Sequence, residues 1–187
     1  MFRCYSNFAR HPIGNLQGGE FTVRFKPHDQ AQAVPNPITQ EDLEIIHAKN
    51  TLWVHEQPGG EQADFSGQDL SGRVFERMTF IGVKFRGADM NCGTLGNGIF
   101  NDCDFSEAML RDVSAQGVEM DSVLFDGATL ENCSFQSAFL QYASFDGAHI
   151  VGCDFTNAEL YGADFSQAEL VDCTGLEHLA QGQSQTM

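Results

Sequence analysis

Large apolar residues recur at every fifth position over more than half of the chain. Counting by fives from Phe65 to Leu170 gives 22 positions; 21 hold Phe, Leu, Met or Ile, and only Ala115 departs. This period fits neither regular element, because it drifts around an α-helix of about 100° per residue and alternates between the faces of a straight strand. The pattern therefore predicts short extended segments with a bend after each one.

The residue two places before each of these centres is small and apolar in most units, as Ala128 is before Leu130 and Cys133 is before Phe135. In extended backbone these two side chains point the same way, so each unit sends one small and one large side chain inward. The two places after a centre hold turn residues, such as Ser–Gly, Asp–Gly and Thr–Asn. The chain is therefore predicted to wind as a coil around its own core.

Centres that are twenty residues apart resemble one another, which favours four units per coil. The column that starts at Phe65 is Phe in all six coils, and the column that starts at Leu70 contains no Phe. The columns that start at Phe75 and Phe80 are mixed. We call the outward residues around these four columns wall A, wall B, wall C and wall D, in that order.

The repeated unit resembles the A-(D/N)-L-x-x motif of the pentapeptide-repeat proteins. Matches occur at Ala63-Asp64-Phe65, Ala88-Asp89-Met90, Ala158-Glu159-Leu160, Ala163-Asp164-Phe165 and Ala168-Glu169-Leu170. The resemblance covers residues 63–174, about 60% of the chain. It implies an all-β solenoid, a right-handed quadrilateral β-helix of about 5.5 coils.

The regions on either side of the repeat lack the five-residue period. Residues 1–62 are expected to form a small mixed α/β cap over the open apolar end of the solenoid. Within them the sequence predicts a strand at 20–25, a helix from an N-cap at Thr39 through Lys49, and a strand at 51–56. Residues 175–187 are expected to be a short C-terminal cap and a disordered tail.

Neither a membrane anchor nor a secretory leader is apparent. No apolar run approaches the length of a transmembrane helix, and the first residues lack the apolar core of a signal peptide. A cytoplasmic location is therefore expected, with no membrane partner. Non-classical export, as in bacterial effector injection, is left open.

Candidate chemistry is sparse. Cys133, Cys153 and Cys173 lie twenty residues apart, so they are predicted to stack inward as free thiols rather than to form disulfides or bind metal. No CxxC knuckle, histidine-pair spacing, P-loop or nucleophile signature is found. The sequence therefore predicts a non-enzymatic protein without cofactor or metal.

The charge is strongly negative, with a formal value of −16. Residues 63–173 contain 18 acidic against five basic residues, and walls A and B hold 12 of these acids. From Asp112 onward there is no Lys or Arg. Direct nucleic-acid binding is disfavoured, because it needs the opposite charge.

The charge density invites comparison with DNA itself. A rod of about 26 Å would carry a charge of −13, and duplex DNA of that length carries about 15 charges. The family resemblance implies one function of this kind, a DNA mimic on DNA gyrase or topoisomerase IV that confers antibiotic or toxin resistance. The candidate residues are Asp104, Asp126, Glu131, Asp146, Asp164 and Glu169. The alternative is a generic interaction scaffold or a secreted bacterial effector with an unknown target.

Wall D mixes four acidic residues with apolar ones. Phe139, Tyr142 and Tyr161 are predicted to lie within about two strand spacings of one another, as a site for a partner or for homodimerisation. The alternative is that their rings lie flat and cover neighbouring turns. Ile81 and Ile99 are predicted to be covered by the N-terminal region through Trp53 or Ile45. Ala115 is expected to cause a local irregularity, with Val113, Val118 or Met120 leaning into the gap.

Overall fold

The repeat region winds as a right-handed quadrilateral β-helix, as predicted. The computed structural model describes residues 38–177. Parallel bridges join residues twenty apart along the whole solenoid, from Asp64 with Lys84 to Asp154 with Thr174. This register confirms four five-residue units per coil.

One wall is regular enough to form a continuous sheet. Its four parallel strands lie in the order β1-β2-β3-β4, and they are β1 Met109–Arg111, β2 Thr129–Glu131, β3 His149–Val151 and β4 Glu169–Val171. The central residues pair in register, Leu110 with Leu130, Leu130 with Ile150 and Ile150 with Leu170. This sheet is the backbone of wall B.

Each corner of the coil is a turn that the unit encodes. The N–H of Phe65 donates to the carbonyl of Lys84 in the next coil at 2.8 Å, and the N–H of Gln68 donates back to the carbonyl of Phe65 at 3.1 Å. Gly67, between them, has a φ of 66°. A positive φ at the third residue of a four-residue turn is what type II turns require, so the bend falls where Gly, Asn and Asp recur in the sequence.

The core consists of stacked columns of like residues. Phe85 and Phe105 stack with ring centroids 4.5 Å apart, and Phe145 and Phe165 stack at 4.3 Å. Rings from other columns meet this stack edge-on, as Phe155 meets Phe165 at 6.0 Å. Close-packed aromatic columns of this kind bury a large apolar area, so they account for much of the stability of the solenoid.

The prediction of a local irregularity at Ala115 is wrong in its backbone part. The bridges continue from Thr94 through Ser114 to Ser134, and the N–H of Ala115 donates to the carbonyl of Ser134 at 2.8 Å. Val113 and Val118 are buried at places where most units have alanine or cysteine. These valines bring more apolar volume into the coil than alanine or cysteine would, and the backbone around Ala115 is regular.

A helix, α1 Gln40–Val54, precedes the solenoid. It begins as predicted at an N-cap, Thr39, whose Oγ1 accepts the N–H of Asp42 while the Asp42 carboxylate accepts the N–H of Thr39, a capping box. The helix continues past Lys49, so the predicted strand at 51–56 is wrong. Leu43, His47 and Asn50 recur at helical spacing and contact the first coil, and the alternation at 51–56 belongs to exposed side chains.

Helix α1 covers the apolar end of the first coil. Leu43 is fully buried, the His47 ring lies 5.1 Å from the ring of Phe80, and the Asn50 side chain accepts the N–H of Ala63 at 2.9 Å. The side chain of Gln40 both donates to and accepts from the backbone of Val74. A solenoid end needs such a cover, because it would otherwise expose core residues and unpaired strand edges.

The predicted cover over Ile81 and Ile99 is only partly present. Trp53 and Ile81 line one groove of about 500 Å³, but both side chains remain exposed. Ile45 lies elsewhere, beside Lys49, so its predicted role is wrong. The predicted strand at 20–25 and the tail from residue 178 lie outside the described residues.

Candidate protein-binding walls

Many acidic residues of the repeat have a structural task. In six units an aspartate immediately before the centre accepts the N–H of the residue immediately after it. In the first coil the carboxylate of Asp64 accepts the N–H of Ser66 at 2.9 Å. The same Asx turn recurs at Asp69, Asp89, Asp104, Asp154 and Asp164.

Hydrogen bonds in these turns lower the pKa of Asp64, Asp69, Asp154 and Asp164. The Ser66 hydroxyl and N–H lower the pKa of Asp64 below its usual value. The hydroxyl of Thr156, followed by the Gln136 amide and the Thr156 N–H, lowers the pKa of Asp154 to about 2. Hydrogen bonds to a carboxylate favour its charged form, so these turns stabilise the negative charge of Asp64 and Asp154.

The predicted acidic residues divide between two walls. Asp104, Asp126, Asp146 and Asp164 lie on wall A, and Glu131 and Glu169 lie on wall B. Asp146, Asp164 and Glu169 are exposed, whereas the other three are half-buried. All six point outward, so the sequence placed them correctly on the surface.

Wall B contains one local ion pair and one contact between a histidine and a carboxylate. Arg111 lies 3.1 Å from the carboxylate of Glu131, and Nδ1 of His149 lies 2.9 Å from the carboxylate of Glu169. On the first half of wall A, Arg86 pairs with Glu107 at 2.6 Å. These pairings follow from side chains one coil apart, which a count of charges along the sequence does not show.

The second half of wall A keeps its negative charge. Asp126 accepts a hydrogen bond from the Ser144 hydroxyl, and Asp164 accepts the N–H of Ser166. Neither aspartate has a cationic partner within residues 38–177, and Asp146 forms no ion pair there either. Asp126 and Asp146 follow their centres in two successive coils, and Asp164 precedes its centre in the next coil. We call these three carboxylates on wall A, which lack an ion pair, the row of Asp126, Asp146 and Asp164.

Two of the three residues in the predicted aromatic patch are in ring contact. The rings of Tyr142 and Tyr161 meet edge-to-face with centroids 5.6 Å apart. Phe139 makes no ring contact with either tyrosine, and its backbone pairs with Glu119 and Glu159 in the coils on either side. The two tyrosines and Phe139 thus occupy adjoining parts of wall D.

The cysteine column is present as predicted. Cys133, Cys153 and Cys173 are free thiols, and their Sγ atoms approach carbonyls of the preceding coil, the closest being Leu110 at 3.0 Å from Cys133. Cys92 lies outside this column and is disulfide-bonded. The prediction of free thiols therefore holds for the column alone.

Other classes of site find no support in the part of the chain that the structure describes. No three His, Cys, Asp or Glu side chains between residues 38 and 177 converge as ligands for a metal ion. The single helix in this range is too short and too polar to cross a bilayer.

A family model described as pentapeptide repeats matches residues 61–91, 122–150 and 140–174, with eight copies. The repeat region belongs to the pentapeptide-repeat family. Residues 92–121 are not covered by that match, although the structure shows the same coils there. Residues 92–121 depart from the usual unit: Ala115 stands where other units have a large centre, and Val113 and Val118 stand where most have a small residue.

Several solved pentapeptide-repeat structures are similar to this chain. QnrB1, a plasmid-mediated fluoroquinolone resistance protein, is 25% identical over 60% of this chain and 75% of its own, with a TM-score of 0.41. A pentapeptide repeat protein from the Arabidopsis thaliana thylakoid lumen is 23% identical over 60% of this chain and 61% of its own, with a TM-score of 0.36. No curated protein sequence gives a significant match. These similarities carry no inference about the partner of this protein.

The pentapeptide unit itself held the signal for the structural aspartates. Every Asx turn follows a pattern of Asp, the centre, and then Ser, Thr or Asn, as in Asp64-Phe65-Ser66 and Asp154-Phe155-Thr156. The total charge of the repeat does not reveal this pattern. Among the candidates on wall A, Asp126 and Asp146 belong to none of these turns, whereas Asp104 and Asp164 each serve one while also carrying a charge.

Proposed function

We propose that this protein is a non-enzymatic protein-binding module whose wall A mimics DNA on a type II topoisomerase, DNA gyrase or topoisomerase IV. The observation that carries the proposal is the row of Asp126, Asp146 and Asp164, which has no cationic partner among the described residues. The choice of a topoisomerase follows the family resemblance of the repeat. Such an activity requires a cytoplasmic location.

The physical case rests on rigidity and spacing. Coils lie about 4.8 Å apart, and each contributes one carboxylate of this row from a backbone fixed by the hydrogen-bonded ladder. A basic groove that binds DNA is lined by Lys and Arg. A rigid row of carboxylates neutralises such side chains without first having to become ordered. Ordering a flexible chain on binding would reduce its affinity for the enzyme.

The proposal is tested by measuring supercoiling by purified gyrase with and without a fluoroquinolone. Decatenation by topoisomerase IV is measured in parallel. We expect the protein either to inhibit these reactions or to restore them in the presence of the drug. The variant Asp126→Asn/Asp146→Asn should lose the effect, because it removes charge from wall A and keeps side-chain oxygens. No effect on either enzyme would contradict the proposal.

A second candidate function is a scaffold for a different protein partner. The Asx turns favour it, because they give six of the acidic residues a role in folding that is independent of any partner. On this alternative the acidity serves the turns and solubility. If the variant above still inhibited the topoisomerases, the scaffold function would gain no support. If the wild type inhibited neither enzyme, the scaffold function would be favoured.

A further inference from the structure

The outward aromatic side chains of the repeat region all lie on wall D. Every phenylalanine between residues 63 and 174 except Phe139 is a centre in the core. Phe139, Tyr142 and Tyr161 come from two neighbouring coils, and they are 38%, 61% and 74% exposed. Aromatic residues are enriched in the cores of protein interfaces, so their concentration on one wall marks this wall as a surface for contact.

The two tyrosines are held in a fixed arrangement. Their rings are perpendicular, with an interplanar angle of 87°. The Tyr142 ring lies directly against the backbone of Gly162, where an added Cβ would come within 2.7 Å of the ring. One side of the Tyr142 ring is therefore covered by the coil, while Tyr161 projects beside it and is the more exposed of the two.

Acidic groups surround these rings, and no base accompanies them. Phe139 lies between Glu119 and Glu159 along the stack of coils, and wall D carries no Lys or Arg. Oδ1 of Asp121 and, one coil later, Oε1 of Gln141 are shielded from solvent and have no hydrogen-bond donor. Their burial closes both atoms to a partner, whereas Glu119 and Glu159 are exposed on this wall.

We propose that wall D, around Phe139, Tyr142 and Tyr161, binds an arginine-containing segment of a partner protein. A guanidinium group is planar, stacks on aromatic faces and carries five N–H donors in a fixed arrangement that suits carboxylates. It therefore matches both features of the wall, the exposed rings and the exposed carboxylates of Glu119 and Glu159. A lysine ammonium is also attracted to a ring face, but it is a compact point charge without a planar group that stacks or pairs in two places with a carboxylate.

A second copy of this chain fits the wall less well. A two-fold contact through wall D would place Glu119, Glu159 and the other acids of one copy opposite those of its partner. Like charges that face each other across an interface are unfavourable. The surface is also separate from the row on wall A, so the two proposals stand or fall independently.

Fluorescence anisotropy with two labelled peptides tests the proposal. One peptide alternates arginine with glycine and serine, and the other has lysine in place of each arginine. We expect the full chain to bind the arginine peptide at least about fivefold more tightly than the lysine peptide. The variant Phe139→Ser/Tyr142→Ser/Tyr161→Ser should bind the arginine peptide about tenfold more weakly, from the loss of three ring contacts.

This variant is compatible with the fold. Serine already occupies the equivalent places in other units, as at Ser134, Ser137 and Ser166, and an unchanged melting curve would verify it. The variant also keeps every charge, so it separates ring contacts from general attraction to an acidic protein. Glu119→Gln/Glu159→Gln should weaken binding as well, more than Glu76→Gln/Asp154→Asn, which removes two charges from wall C.

Each remaining outcome overturns the proposal. Equal affinity of the triple variant and the wild type would reduce the binding to general electrostatics. Equal affinity for the two peptides would remove the role of the guanidinium. A wild-type dimer that dissociates on triple substitution, seen by light scattering, would assign the wall to a second copy, and no binding up to about 1 mM peptide would show that no such site exists.

Discussion

The side-chain oxygen of Asn50 accepts the backbone N–H of Ala63 at 2.9 Å, and both residues are buried. This bond joins helix α1 to the first unit of the solenoid, at the point where the chain changes from helix to coil. It places a polar side chain in an apolar junction, where a lost partner is costly.

Asn50→Ala should therefore destabilise the protein by about 1–3 kcal/mol, because it leaves the buried N–H of Ala63 without an acceptor. The free energy of unfolding from urea titration measures the effect. Glu44→Ala, an exposed change on the same helix, is the control and should cost less than about 0.5 kcal/mol. Equal losses for the two variants would contradict the role of Asn50.

The aromatic column yields a second prediction. Phe105 is fully buried and stacks with Phe85 at 4.5 Å and with Phe125 at 5.3 Å. Phe105→Ala should cost about 3–5 kcal/mol, as truncation of a buried aromatic residue does. Ser134→Ala on wall C should cost less than about 0.5 kcal/mol in the same urea titration. A small loss at Phe105 would mean that the column does not hold the coils together.

The Asx turns predict a difference between two substitutions at one site. Asp104 accepts the N–H of Ser106, and Ser106 is buried. Asp104→Asn keeps an oxygen acceptor and should leave stability nearly unchanged. Asp104→Ala removes the acceptor and should cost about 1–3 kcal/mol. If both variants had the same melting temperature, the turn would not depend on this hydrogen bond.

Acid should weaken the solenoid in a defined range of pH. Hydrogen bonds from Thr156 and Gln136 lower the pKa of Asp154 to about 2, and Ser166 lowers that of Asp164. The unfolded chain then binds protons more readily than the folded chain between about pH 4 and pH 2, so stability is present above this range and is lost as the pH falls through it.

Melting temperatures recorded from pH 6 to pH 2 measure this loss. Asp154→Asn should show a shallower decline than the wild type, because its side chain no longer takes up a proton. Superimposable profiles for the two proteins would show that Asp154 does not contribute to the acid sensitivity.

The repeat could be predicted from the sequence because its signal recurs at a fixed spacing along the chain. Each unit places a centre such as Phe105 or Leu110 five residues after the last, and the columns such as that of Phe65 reveal the number of units per coil. The N-cap at Thr39 was predictable for the same reason, since its signal lies within four residues. Local patterns of this kind do not depend on distant parts of the chain.

What the sequence did not reveal depends on contacts between coils or between elements. Helix α1 continues beyond Lys49 because its contact face includes Asn50, whose partner Ala63 lies thirteen residues away. The coil at Ala115 is regular, and the valines beside it are buried. Glu131 and Glu169 were predicted as binding residues, but each has a local partner one coil away, which leaves Asp126, Asp146 and Asp164 as the stronger candidates.

The most direct measurement for the central claim compares two pairs of neutralised acids in binding to immobilised gyrase and topoisomerase IV. Asp126→Asn/Asp146→Asn removes two charges from wall A, and Glu76→Gln/Asp154→Asn removes two from wall C. If wall A is the binding surface, the first pair should weaken binding about tenfold, which is about 1.4 kcal/mol, and the second should change it little. Equal weakening by both pairs would reduce the effect to net charge, and no binding of the wild type to either enzyme would contradict the account.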